Sequence, residues 1–166
     1  MYYINERLVN LHRIFDQNKR EGYLRLDLNE NPEGLSQEFI DGVLSGVTPE
    51  MVAQYPETLE FTEFLAGRLG TDIEHLSLVN GSSEGIRNII EAFTAPNGEI
   101  VCVSPSYAMF EVYSKMYGRN FVPVPYRDDL TITVDDVISK ISNDTQLLIL
   151  VNPNNPMGNA WSETEM

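Results

Sequence analysis

Basic residues are scarce in this chain. Its 166 residues include 11 Lys and Arg against 25 Asp and Glu, a formal net charge of −14. Nucleic acids and anionic membrane surfaces are held by basic side chains that displace phosphate counterions, so this balance excludes non-specific partners of either kind. One small phosphorylated ligand stays possible, because a few backbone N–H groups hold a phosphate whatever the net charge. Cysteine is scarcer still. Cys102 stands alone, which excludes a disulfide framework and a cysteine-based metal cluster. It lies in the apolar run Ile100-Val101-Cys102-Val103 with no basic neighbour to lower its pKa, the setting of a core thiol rather than a nucleophile. No apolar run approaches the length that spans a bilayer. The start, Met1 to Arg20, mixes Glu6, Arg7, Arg13 and Asp16 into its apolar residues and is no signal peptide. Repeats and low-complexity stretches are also missing. A soluble, cytoplasmic protein is the expectation, without nucleic-acid or membrane partners and without a metal.

What is present is enough apolar material, 42% of residues, for one sizeable core. Ile4, Leu8, Leu11 and Phe15 recur at helical spacing, and Leu24 to Pro32 reads as an extended arm. Ser36 is placed to cap a short helix carrying Phe39, Ile40 and Val43. A second helix carries Phe61, Phe64, Leu65 and Leu69 and ends at Gly70. Strands and helices then alternate. Strands are expected at Leu76–Val79, Ile100–Val103, Phe121–Val124 and Leu147–Val151. Helices are expected on Ile86, Ile89, Ile90 and Phe93, over 108–117, and after Thr133 with Val134, Val137, Ile138 and Ile141. Pro123 and Pro125 put the third strand at an edge or make it irregular. Apolar strands alternating with helices mean an α/β fold: three layers, a mostly parallel sheet with helices on both faces. The expected organisation is an N-terminal helix and arm over 1–34, then an incomplete larger domain over 35–166.

Three loops carry the chemistry. Asn80-Gly81-Ser82-Ser83-Glu84-Gly85 opens a helix; its small residues let the backbone curl around an anion, with the first N–H groups and the Ser82 and Ser83 hydroxyls as donors. By itself the same run also serves as an ordinary serine cap with a glycine turn. It is neither a dinucleotide fingerprint nor a Walker loop, lacking the spaced glycines and the Gly-Lys-Thr. Pro105-Ser106-Tyr107 follows the next strand, and in α/β sheets ligands bind at the strands' carboxyl ends. A tyrosine there lays its ring against a flat ligand, or simply packs at a helix start. Asn152-Pro153-Asn154-Asn155-Pro156-Met157-Gly158 follows the last strand. Its prolines fix φ and stiffen the loop, so that a held Asn155 amide can bond a ring oxygen.

In this order and spacing the three loops, with Leu26-Asp27-Leu28-Asn29-Glu30-Asn31-Pro32 ahead of them and Tyr55-Pro56 between, resemble a known family. It is the fold-type I pyridoxal-5′-phosphate (PLP) aminotransferases, and within them the histidinol-phosphate aminotransferases and the related threonine-phosphate decarboxylases. The resemblance runs from about Leu24 to Gly158. It implies that the amides around Ser82 and Ser83 hold the PLP phosphate, that Tyr107 stacks on the pyridine ring, and that Asn155 bonds the ring's 3′-oxygen. It further implies that Tyr55 reaches the cofactor phosphate of a neighbouring subunit, making the protein a homodimer, and that the arm with Asn31 closes over the substrate. Met157 stands where the family usually has threonine.

The resemblance also implies residues that this stretch does not supply. The family's aspartate for the pyridine nitrogen, its cofactor-linking lysine and its arginine for the substrate carboxylate should all lie beyond residue 166. Lys19, Lys115 and Lys140 are the only lysines, and none has the serine–lysine setting the family uses. The expected activity of a full-length parent is transamination between an amino acid or amino alcohol phosphate and a 2-oxo acid, with an inactive fragment here. The alternative within the family is decarboxylation of an amino acid phosphate. A non-catalytic phosphate-binding α/β module is the alternative outside it, but Ser104-Pro105 stands where its acidic residue would be.

Overall fold

A computed structural model of the chain describes Ile4 and residues 6–9, 22–24 and 28–166. Leu11 and Phe15 of the first helical stripe, Lys19, and Leu26 and Asp27 of the arm lie outside the described residues. Two compact units are distinguished, one comprising Met1–Arg13 with Val79–Met166, the other Ile14–Leu78. Among the described residues, no helix is long and apolar enough to cross a membrane.

The second unit is helical in its described part. Ser36 caps α2 (Gln37–Ser45) by accepting from the Phe39 N–H at 3.2 Å. Thr48 caps α3 (Pro49–Ala53), with a proline at the first helical position, where its missing N–H costs nothing. Gly70 ends α4 (Leu59–Leu69) at φ 67°, a left-handed turn that a residue without Cβ adopts freely. The capped helices expected from the sequence are therefore present.

The first unit holds the sheet. After α1 (Glu6–Val9) and α5 (Ser82–Phe93), the chain runs β1 (Glu99–Ser104), α6 (Met109–Met116), β2 (Asn120–Pro125), α7 (Val134–Ile138) and β3 (Thr145–Ile149). The strands are all parallel in the order β2-β1-β3. Val101 and Val103 share one face with Val124; Val137 of α7 and Trp161 close over them. Side chains alternate along a strand, so Ile100 and Cys102 point to the opposite face. There α5 and α6 lie, with Ile86, Ile89, Ile90 and Phe110 lining a cavity of about 220 Å³ along β3. Helices on both faces of a parallel sheet were the expectation, and both are found.

Three details differ. The run Leu76–Val79 forms no strand. Its apolar residues suit one, but a strand needs a hydrogen-bonded neighbour, and no described strand pairs with this run. β3 begins two residues early and ends at Ile149, because Leu150 leaves the ladder to pack in the core. β3 is an edge strand with Leu148 still exposed; among the described strands, β1 alone is buried over four consecutive residues. β2 takes the other edge, the first of the two alternatives its prolines left open.

Burial pushes the Cys102 thiol up to about 12. A thiol reagent at pH 8 should therefore leave the folded chain unlabelled and label one site after denaturation. Rapid labelling of the native chain would contradict the core placement.

Candidate functional site

Because the strands are parallel, the loops leaving β1, β2 and β3 emerge on one edge of the sheet. The start of α5 comes to the same place: the Ser83 and Tyr107 hydroxyls are 3.1 Å apart. Both residues are half-buried. Two of the three chemically marked loops thus meet through their own marked side chains.

The first loop turns at Gly81, with φ 80° and ψ 168°, where a Cβ would be strained. Gly81 is itself the helix cap and makes no side-chain capping bond. The plain serine-cap alternative is therefore not what the chain adopts; Ser82 and Ser83 are the first two helical residues. Their N–H groups, with that of Glu84, have no acceptor inside the helix, which leaves a donor cluster at its positive end. Glu84 folds away from those donors. Its carboxylate accepts from the Asn80 N–H at 2.5 Å and the Asn80 Nδ2 at 3.0 Å, and lies 3.5 Å from Arg87. The Asn80 backbone bond holds its pKa below the ordinary value, with the Asn80 side chain and Arg87 acting in the same direction.

The third loop is organised by a residue that sequence reasoning did not choose. Asn154 is buried, at 1% exposure, whereas Asn155 is half-buried. The Asn154 Oδ1 accepts from Ser106 Oγ at 2.7 Å, and its Nδ2 donates to the Pro105 carbonyl at 3.0 Å and to Tyr126 Oη at 2.8 Å. Tyr126, just past β2, donates in turn to Asn159 Oδ1 at 2.6 Å. The Asn154 backbone bonds Asn159 and Gly158 across the same turn. Asn152 closes the loop's base through both polar atoms of its amide, to the Trp161 carbonyl at 3.1 Å and the Trp161 N–H at 3.0 Å. The Ser104–Pro105, Asn152–Pro153 and Asn155–Pro156 peptides are cis. No sequence signal separates Asn154 from Asn155, because both lie between the same two prolines and the partners of Asn154 are 28 to 49 residues away.

Tyr55 and Asn31 belong to the other unit. Tyr55 is 98% exposed in the segment after α3. Asn31 is exposed too, and its side chain holds a local turn, donating to Gly34 O at 2.8 Å and accepting from the Glu33 N–H at 3.2 Å. Lys115 is paired with Glu111 along α6, and Lys140 is exposed just after α7.

Comparison with solved structures places this architecture. A putative histidinol-phosphate aminotransferase from Erwinia carotovora atroseptica superposes with a TM-score of 0.70 at 26% identity, covering 83% of this chain and 40% of that one. Histidinol-phosphate aminotransferase from Sinorhizobium meliloti, solved with pyridoxal-5′-phosphate, has the same fold at a TM-score of 0.69 and 22% identity, over 80% of this chain and 36% of that one. The fold is thus that of the PLP-dependent aminotransferases. The model of the aminotransferase class I and II family matches residues 22–166, and the chain belongs to that family. Among curated relatives, a Thermoanaerobacter histidinol-phosphate aminotransferase is 35% identical over 137 residues, 81% of this chain and 39% of the relative. That of Thermococcus gammatolerans is 29% identical over 157 residues, 93% and 44% of the two chains. The chain therefore spans well under half the length of these relatives.

The Glu84 bonds generate a pH signature. Its folded pKa is depressed, so its contribution to the loop is complete above the ordinary value of 4.5 and is lost as pH falls through the lower folded value. The Asn80 amide signal in NMR should titrate with a midpoint below 4.5, and Glu84→Gln should abolish that step. A midpoint at or above 4.5 would mean that the carboxylate does not hold the loop.

Proposed function

We propose that this chain carries the phosphate- and ring-holding part of a PLP-dependent aminotransferase of the histidinol-phosphate type. The reaction is transfer of an amino group between an amino acid or amino alcohol phosphate and a 2-oxo acid. The observation that carries this reading is the meeting of Ser83 and Tyr107 at 3.1 Å beside the loop of Asn155. An anion corner, an aromatic side chain and an amide lie along one sheet edge, and these are the three kinds of contact that a phosphorylated, hydroxylated pyridine requires. The family match supports it independently.

The residues present fit the cofactor. The unpaired N–H groups at the start of α5 and the hydroxyls of Ser82 and Ser83 would hold its phosphate, against which the chain's −14 charge is no obstacle because these donors are local. Tyr107 would lie against the ring, with its hydroxyl already tethered by Ser83. Asn155 would donate to the ring oxygen. The cofactor supplies an electron sink for the substrate amine; the chain's own part is to bind, orient and keep the ring flat against Tyr107. In a homodimer, Tyr55 would reach across to the partner's phosphate corner, a role that its 98% exposure permits. Asn31, in its turn after the arm, would face the substrate.

Equilibrium dialysis of PLP tests the reading. Asn155→Ala should weaken binding by about 1.5–3 kcal/mol, one hydrogen bond to a charged group. Unchanged affinity would remove Asn155 from the site, and loss of all effect from Ser82→Ala with Ser83→Ala would remove the anion corner. Lys115 is engaged with Glu111 and Lys140 is exposed, so neither is set to join the cofactor covalently. Borohydride treatment of the chain with PLP should therefore mark no unique lysine, and specific marking of either one would overturn this part of the proposal.

A further inference from the structure

Resting on the cofactor reading above, we infer that Asn154 is the positioning residue of the site's ring end, acting through Ser106 and Tyr126 without touching the cofactor. The two side chains that would meet the ring stand next in sequence to the bonded pair: Asn155 follows Asn154, and Tyr107 follows Ser106. The bond between Asn154 Oδ1 and Ser106 Oγ, 2.7 Å, is therefore the tie that sets Asn155 and Tyr107 at a fixed separation. Nothing else among the bonds described links the β1 loop to the β3 loop side chain to side chain.

The direction of the amide is determined by its partners. The Pro105 carbonyl only accepts, so the atom 3.0 Å from it must be Nδ2, and Oδ1 must face Ser106. The same Nδ2 donates to Tyr126 Oη at 2.8 Å, which leaves the single Tyr126 proton for Asn159 Oδ1 at 2.6 Å. Ser106 has likewise given its proton to Asn154. Every donor in the cluster has one acceptor to go to, and no alternative arrangement of the same atoms satisfies Pro105. One amide, 1% exposed, thus joins the ends of all three strands: β1 through Pro105 and Ser106, β2 through Tyr126, and β3 through its own loop.

The phosphate end is built differently. Gly81, Asn80 and Glu84 shape it locally, and its one described side-chain tie to the β1 loop is Ser83 to Tyr107. Loss of the Asn154 clip should therefore disable the ring end and spare the phosphate end. A residue needed only for stability would not separate the two.

The experiment is an NMR titration of the 166-residue chain with PLP, and with inorganic phosphate as the anion alone, for wild type, Asn154→Ala and Tyr126→Phe. The backbone amides of Ser82 and Ser83 report the phosphate end; the Asn155 side-chain amide and the Tyr107 ring report the ring end. Wild type should respond to PLP at both ends and to phosphate at the first only. Asn154→Ala should keep the first response and lose the second, with PLP affinity down at least about tenfold and phosphate affinity unchanged. Tyr126→Phe, which keeps shape and removes one hydroxyl, should fall between. Equal responses at both ends in wild type and in both variants would overturn the inference. Should Asn154→Ala fail to fold, the comparison of wild type with Tyr126→Phe decides by the same criterion. Should wild type ignore PLP altogether, the cofactor reading falls by itself. The clip is then judged in the free chain: displaced Asn155 and Tyr107 signals in Tyr126→Phe support it, and unmoved signals refute it.

Discussion

The working edge of this molecule depends on the satisfaction of one buried amide. Burying an amide without partners costs several kcal/mol in an apolar setting, and a half-satisfied polar cluster is worse than none. Asn154 is enclosed at the point where three loops leave the sheet, and it has a partner for each polar atom: Ser106, Pro105 and Tyr126 on its side chain, Asn159 and Gly158 on its backbone. The geometry of Asn155 and Tyr107 follows from that requirement. Were any of the three strand ends displaced, the amide would be left unsatisfied, so the loops stay in register because they share one cluster.

The electrostatics of the site run against those of the chain as a whole. A net charge of −14 describes the surface, while the start of α5 presents a positive helix end and free N–H groups over a few ångströms. Glu84 is the acidic group that could spoil this corner, lying two residues past Ser82. It does not, because its carboxylate is turned back onto Asn80. The acidic residue that looks wrongly placed for anion binding thereby closes the turn that exposes the donors.

The sheet shows how position decides burial. β1 sits between two parallel neighbours and beneath helices on both faces, and its residues 100–103 are fully buried. β3 is apolar over Leu147–Ile149 but lies at an edge, where Leu148 is exposed and the cavity beside Leu147 and Ile149 is lined by Ile86, Ile89 and Phe110. What separates them is the number of neighbours, a property of topology.

Much of the architecture was legible in the residues, because it rests on short-range chemistry. Ser36, Thr133 and Gly70 mark helix ends through bonds within three or four residues, and the prolines of β2 pointed to an edge or an irregular strand. The three loops were recognisable, and so was the α/β class, since a parallel sheet sends every such loop to one edge. The strand expected at Leu76–Val79 failed because an apolar run states a propensity and cannot name a partner. Asn154 was passed over for Asn155 for a related reason: two neighbouring asparagines are indistinguishable until Ser106 and Tyr126, distant in sequence, are brought against one of them. Local signals set the elements and the candidate loops. Which amide is buried, and which strand is central, only the tertiary structure decided, since burial and hydrogen-bond partners are properties of groups that the chain brings together from afar.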